Sequence, residues 1–300
     1  MTPTFRQLTV FLAVAEHGSI TAAAHACHIT QPTVSMQMKE LSDAVGLPLY
    51  EQIGKRLYLT AAGEALVETA RAMSDEWERF EQGVAAMKGH TRGKLRVTVA
   101  STAKYFVPRI LGSFCGRYPE VDIALEILNR DQIVQRLSVN ADDLYIMSMP
   151  PDEIDLVKQA FVANPLVVVA PATHRLARKR KLALSELTGE SFILREPGSG
   201  TRLAGDAHFA GLGFKPKIRL ELGSNEAIKQ AVAVGLGMTV LSRHALNPKT
   251  DGGTLAVLRV AEFPVHSNWW VVYPRGKRLS PIANVFLDHL AATAKKLAVA

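Results

Sequence analysis

Apolar residues at the start of the chain follow a helical repeat, then a strand repeat, then a heptad. Phe5, Leu8, Phe11, Leu12 and Ala15 fall at helical spacing. The stretch GSITAAAHACHITQPTVSMQMKELSDAVG, from Gly18 to Gly46, predicts two further helices with a polar joint at Thr30 to Pro32. Ala23, Ala24, Ala26 and Ile29 make the first a small-residue surface that another helix can approach. Val34, Met38, Leu41 and Val45 give the second one face to bury. Thr30 is placed to cap that second helix through its side-chain oxygen, and Pro32 stands in the first turn, where a missing N–H costs nothing. Gln31, Thr33, Ser35, Met36, Gln37 and Lys39 are left outside, mostly short donors and acceptors suited to reading base edges. Tyr50, Ile53, Leu57 and Leu59 then alternate with polar residues around Gly54, Lys55 and Arg56, which predicts a hairpin with a basic tip, a wing. Thr60 is expected to cap a long helix in which Leu66, Ala70, Met73, Trp77, Phe80, Val84 and Met87 recur by steps of four and three for about three heptads. Such a seam fits either a core face or a dimerising helix. The polar remainder and the basic linker KGHTRGK that follows favour the dimerising helix.

From Lys94 the pattern changes to strands alternating with helices. LRVTVA, VDIALEIL, DLYIM, LVVVAP, SFILRE, IRLELG, GMTVLS and WWVVYP are β-branched or aromatic runs, separated by segments such as VPRILGSFCGRY and NEAIKQAVAVGL. The expected fold class is α/β behind an all-α-rich N-terminal winged helix-turn-helix. Residues 1–59 would form the winged unit, 60–90 the long dimerisation helix, and 91–300 two α/β lobes with a cleft between them. One lobe would comprise 91–161 plus 267–300, the final helix Pro281 to Leu297 included, and the other 162–266.

With 300 residues, 48% of them hydrophobic, the chain can bury a large core in at least two domains. The opening MTPTFRQLTVFLAVAEHGS has no basic leader or small-residue cleavage site, so neither a signal peptide nor a membrane span is expected. Cys27 and Cys115 are far apart and lack companions at metal-ligand spacing. A cytoplasmic location is therefore expected, and a metal site is not. The net charge of +7 is uneven: residues 1–58 carry 4 basic and 4 acidic side chains, and residues 91–300 carry 28 and 18. The run RKRK at Arg178 to Lys181 reads as a solvated loop after a strand, and the remaining surplus hints at an anionic ligand in the larger part.

Two segments carry the chemistry of such a site. STAK sets Ser101, Thr102 and Lys104 between a strand and a helix, where free N–H groups favour negative charge. EPGSGTR repeats the arrangement with Gly198, Ser199, Gly200, Thr201 and Arg202, the last able to offer paired donors. The plain alternative is that GSG is only a turn before a helix. Asn129, Arg130 and the run Met147 to Met149 are further lining candidates. No Gly-Lys-Ser/Thr follows at the spacing of a Walker loop, no GxSxG or HExxH occurs, and Asp142 and Asp143 lack a second acid pair, so an enzyme is not expected.

The segment SITAAAHACHITQPTVSMQMKELSDAVGLPLYEQIGKRLYLTAAG resembles the winged helix-turn-helix of LysR-type transcriptional regulators, and the order of wing, long helix and two-lobed domain extends that resemblance over the chain. Within the family, STAKYFVPRIL, EILNRDQIVQRL, DDLYIMSMPP and EPGSGTR resemble regulators of Calvin-cycle (RuBisCO, carbon-fixation) operons. The resemblance implies an activator of transcription that binds promoter DNA as a homodimer or homotetramer, with RNA polymerase a further partner. It also implies lobes similar to periplasmic solute-binding proteins, with a small anionic effector held between them: a sugar phosphate, phosphoenolpyruvate or an NADPH-like nucleotide. Gln31, Thr33, Ser35 and Gln37 would then meet the major groove, with Pro32 and Met36 beside them, Lys39 a phosphate, and Lys55 or Arg56 a narrow minor groove. Met36 and Gln52 stand where relatives often carry Arg, which weakens contact with DNA and makes affinity depend on dimerisation. A regulator of another metabolic operon remains an alternative. A solute-binding protein would need export, and a redox sensor two cysteines in the ligand domain.

Overall fold

The computed structural model describes residues 2–54 and 56–297, so the expectation placed on Lys55 lies outside the described residues. The chain forms two compact units, Met1–Met87 and Lys88–Ala300.

The first unit begins with α1 (Phe5–His17), closed at its front by a reciprocal cap. Gln7 N donates to Thr4 Oγ1 at 3.2 Å, and Thr4 N donates to Gln7 Oε1 at 2.8 Å. Ser19 caps α2 (Ile20–Ala26), and α3 (Gln31–Val45) follows. Thr30 does occupy the N-cap of α3, but its side chain makes no capping bond. Its Oγ1 lies 2.8 Å from Thr33 Oγ1 instead, while Pro32 removes one of the amides a cap would serve. Phe11, Val14, Ala23, Val34, Met38, Leu41 and Leu49 make the core, whereas Val45, expected inside, is exposed in the last turn of α3.

The wing is the antiparallel hairpin β1 (Tyr50–Ile53) and β2 (Arg56–Leu59), with Ile53 opposite Arg56 and Gly54 turning at φ 64°. It is anchored to the helices by Leu57 N donating to Gly18 O. Thr60 takes up its predicted cap of α4 (Ala61–Met87), accepting from Gly63 N at 3.1 Å and donating to Pro48 O at 2.7 Å. A Cβ on Gly63 would stand 2.1 Å from Leu49 O, so only glycine lets α4 start against the strand. Along α4, Ala70 is buried, but Met73, Trp77, Phe80 and Met87 are exposed. Trp77 sets its ring 6.1 Å from Phe5 and 5.6 Å from Phe80. Four of the seven seam residues thus form an apolar stripe outside the unit's own core.

The second unit is two α/β lobes. One holds β3 (Gly93–Ala100), α5 (Val107–Arg117), β4 (Val121–Leu128), α6 (Arg130–Ser138), β5 (Leu144–Met147) and β6 (Leu156–Ala163), to which the end of the chain adds β12 and α10, given below. The other holds β7 (Leu166–Pro171), β8 (Ser191–Arg195), α7 (Gly200–Gly211), β9 (Lys217–Leu222), α8 (Asn225–Ala233), β10 (Thr239–Ser242), α9 (Pro248–Asp251) and β11 (Leu255–Val257). The chain then returns to the first lobe through β12 (Asn268–Pro274) and α10 (Pro281–Leu297).

The first sheet has the order β4-β3-β5-β12-β6, parallel among β4, β3 and β5 and antiparallel at β12. The second lobe repeats it as β9-β8 parallel, a parallel bridge Phe192 to Met238 into β10, then β7 and β11 antiparallel. Pairing of β6 with β12 continues to Ala163, so the first crossing falls at Asn164 and Pro165 rather than near 161. The return is held there by Asn164 N donating to Ser267 O at 2.7 Å. Arg178 to Lys181 are exposed after β7, and Cys115 is half-buried on α5.

Candidate functional site

Two surfaces gather the expected residues, one in each unit. On α3, burial of Val34, Met38 and Leu41 leaves the opposite face free. Gln31, Pro32, Ser35, Met36 and Lys39 are exposed there, and Thr33 and Gln37 half-buried. Gln37 Oε1 has no hydrogen-bond partner, and Arg56 is exposed at the start of β2. Gln52 donates to Gly54 O at 3.1 Å, so it holds the turn of the wing.

In the second unit the sheets point the ends of their parallel strands at a common cleft, the usual position for a ligand in open α/β sheets. The cleft is narrow, with a cavity of about 10 Å³, room for little more than one water. Ser101 and Thr102 reach it from the end of β3, Asn129 and Arg130 from the end of β4, and Ser148 from the end of β5. Arg195 at the end of β8 and Ser199, Gly200 and Thr201 at the start of α7 face them, and Trp269 of β12 completes the lining.

Arg195 is 2% exposed and spends its guanidinium on both lobes. Nε and Nη2 donate to the Glu196 carboxylate at 2.7 and 2.8 Å, and Nη1 to Asn225 Oδ1 at 2.9 Å. Across the cleft Nη1 reaches Thr102 Oγ1 at 3.3 Å and Nη2 reaches Ser101 Oγ at 3.1 Å. Asn225 Nδ2 adds a donation to Thr102 Oγ1 at 3.0 Å. Arg130 is oriented by Met149 O, which accepts from its Nε at 2.6 Å, so Met149 contributes its backbone. The lobes close this tightly because two positions lack side chains. A Cβ on Gly198, at φ 84°, would lie 2.4 Å from Asp131 Oδ2, and one on Gly200 would lie 2.8 Å from Ser148 Oγ.

Two expectations fail in this geometry. Arg202 is not among the lining residues: its Nε donates to Asp206 Oδ2 at 2.7 Å, and its Nη1 to Glu221 Oε1 at 2.5 Å and Arg195 O at 2.8 Å. One helical step past Thr201 turns it toward β9 and the body of α7. Lys104 also lies outside the lining, its ammonium 5.2 Å from the Tyr105 ring. Tyr105 instead clasps the second lobe, donating to Glu226 Oε1 at 2.5 Å. Partial burial opposes it, yet the bonds from Tyr105 and Lys229 hold the Glu226 carboxyl below the usual carboxylate range. Burial first, then Glu226, pushes the Tyr105 phenol up.

Arg195, Asn225 and Trp269 were not anticipated, whereas Ser148 belongs to the expected run Met147 to Met149. The charge that closes the otherwise apolar run SFILR was the available signal for Arg195, since an arginine at the carboxyl end of such a strand faces the crevice. Asp142 serves structure: Arg136 holds it with two bonds of 2.7 Å, and Thr98 Oγ1 donates to it at 2.8 Å. Among the described residues no cluster of metal-ligating side chains occurs and no helix is long and apolar enough to cross a membrane.

Comparison with known proteins finds a match for each of the two units. Residues 5–64 match the family described as bacterial regulatory helix-turn-helix protein, lysR family, and residues 88–295 match the LysR substrate binding domain. A RuBisCO operon transcriptional regulator of Acidithiobacillus ferrooxidans is 48% identical over 96% of this chain and 94% of its own. The HTH-type transcriptional activator CmpR of a Synechocystis strain is 44% identical over 99% and 98%. Among solved structures, the CcmR regulatory domain of Synechocystis PCC6803 in complex with 2-PG is 48% identical. It covers 69% of this chain and 99% of that one, with a TM-score of 0.67.

Proposed function

The chain belongs to the LysR family of transcriptional regulators, and on that premise we propose that it activates a carbon-fixation operon in response to a small phosphorylated metabolite. Like its named relatives it is a regulator of transcription and not an enzyme. Residues 1–59 bind promoter DNA through α3 and the wing, residues 60–90 pair two chains along α4, and residues 91–300 hold the effector. Lys55 shares the minor-groove role with Arg56, and RNA polymerase is the further partner of an activator.

The observation that carries the effector reading is Arg195, a buried cation at the seam of two lobes whose lining adds a second arginine, Arg130, and several hydroxyl and amide groups. Such a set fits the 2-PG, 2-phosphoglycolate, of the CcmR regulatory domain, and sugar phosphates, phosphoenolpyruvate or an NADPH-like nucleotide share its chemistry. Ligand binding can alter the DNA complex only if the ligand binds two arrangements of the protein unequally, and coupling of this kind is about 1–3 kcal/mol.

Footprinting on the region upstream of a RuBisCO gene cluster, without ligand and with each of these metabolites, tests the proposal. The expected result is a protected site whose length changes with a phosphorylated ligand. Equal affinity for that region and for random duplex would overturn it.

A further inference from the structure

We infer that the interlobe cleft contains a subsite for an acceptor-only oxygen of its ligand, a phosphate or carboxylate oxygen, held by the indole N–H of Trp269 and the hydroxyl of Thr102. This rests on the reading of the cleft as an anion site and adds which groups receive the anion and what they refuse.

Trp269 is 1% exposed on β12, its ring 5.3 Å from Phe106 in the core of the first lobe, and it also lines the cleft. Its Nε1 is buried and has no hydrogen-bond partner. Native proteins seldom leave a buried N–H unpaired, and an indole N–H can only donate. Thr102 is under a different constraint with the same result. Its hydroxyl oxygen already accepts from Arg195 Nη1 and Asn225 Nδ2, which occupies both lone pairs. Only its hydrogen is left, and among the described residues no acceptor receives it.

The cleft therefore presents two buried groups that can donate and cannot accept. An ammonium finds no acceptor in either of these two groups, and an alcohol that accepts from them cannot donate back to them. A phosphate or carboxylate oxygen satisfies both donors, with Arg130 and Arg195 supplying positive charge in the same lining.

The test uses the full chain, 2-phosphoglycolate and protein labelled with nitrogen-15 at the indole of its three tryptophans. Trp77→Phe and Trp270→Phe assign the Trp269 signal. On saturation with 2-phosphoglycolate that proton is expected to move downfield and exchange more slowly, and Trp269→Phe is expected to bind about tenfold more weakly by calorimetry. If wild type binds and the Trp269 signal stays where it was, the subsite is wrong while the anion reading stands. No binding of 2-phosphoglycolate, phosphoenolpyruvate or ribulose bisphosphate by wild type overturns the anion reading and the subsite with it. The spectral result holds even if the Trp269 variant fails to fold.

Discussion

Nη2 of Arg195 lies 3.1 Å from the hydroxyl oxygen of Ser101, and this contact joins two lobes that the chain crosses between at Asn164 and Val265. A residue in that position ties the lobes together, and under the proposed function it also meets the charge of the ligand. Its neighbour in the chain, Glu196, pairs with the same guanidinium.

Arg195→Ala should abolish the thermal shift produced by 2-phosphoglycolate. It should also cost about 3 kcal/mol in chemical denaturation, because Glu196 and Asn225 lose a partner in a buried setting. Arg202→Ala should cost only about 1–2 kcal/mol and keep the ligand response, since its partners Asp206 and Glu221 are solvated and it does not line the cleft. The reverse order of the two ligand responses would return Arg202 to the site.

Along α4, Trp77→Glu combined with Phe80→Glu should yield monomers in sedimentation velocity. Both side chains are more than half exposed in the single chain, so charging them spares the core and strikes only a partner helix. An unchanged sedimentation coefficient would place dimerisation elsewhere.

On DNA, Gln31→Ala should remove about 1–3 kcal/mol of discrimination at one base position in each half-site. Arg56→Ala should weaken specific and random duplexes alike and lower the salt slope by about 1. Binding assays at several salt concentrations separate the two, and a Gln31 variant that loses equally on both duplexes is not reading bases.

The clasp between Tyr105 and Glu226 should be pH-dependent. Because folding lowers the Glu226 carboxyl, its contribution is complete above the ordinary value of 4.5 and is lost as pH falls through the folded one. Folding raises the Tyr105 phenol, so that contribution is complete below 10.0 and is lost as pH rises further. The stability difference between wild type and Glu226→Gln, from urea melts, should be constant from about pH 6 to 9 and shrink toward pH 4. A difference that grows on acidification would mean the carboxylate is repelled rather than held.

The winged unit was legible because its signals are short-range. The spacing of Val34, Met38 and Leu41 decides which face of α3 is buried, and the bare face follows by subtraction. Thr60 finds its cap three residues away. Thr30 was misread at the same range, since a cap needs amides free to donate and the competing hydroxyl of Thr33 was one turn off. The heptad on α4 was visible as a repeat, but whether it faced a core depended on what else packed there.

By itself the sequence determined the winged unit, the order of strands and helices apart from β6 and β11, and the positions where strand ends meet helix starts, since periodicity and capping act within a few residues. The tertiary structure decided which charges face the cleft. Arg195 and Arg202 are both arginines near one glycine turn, and they differ in whether a strand end or a helix face carries them. That choice is made by the approach of Gly198 to Asp131 and of Gly200 to Ser148, contacts between lobes that lie far apart in the chain. Trp269 joins the cleft for the same reason: the chain returns to the first sheet after building the second, and pairing of β12 with β5 and β6 puts the indole beside residues from the other end of the domain.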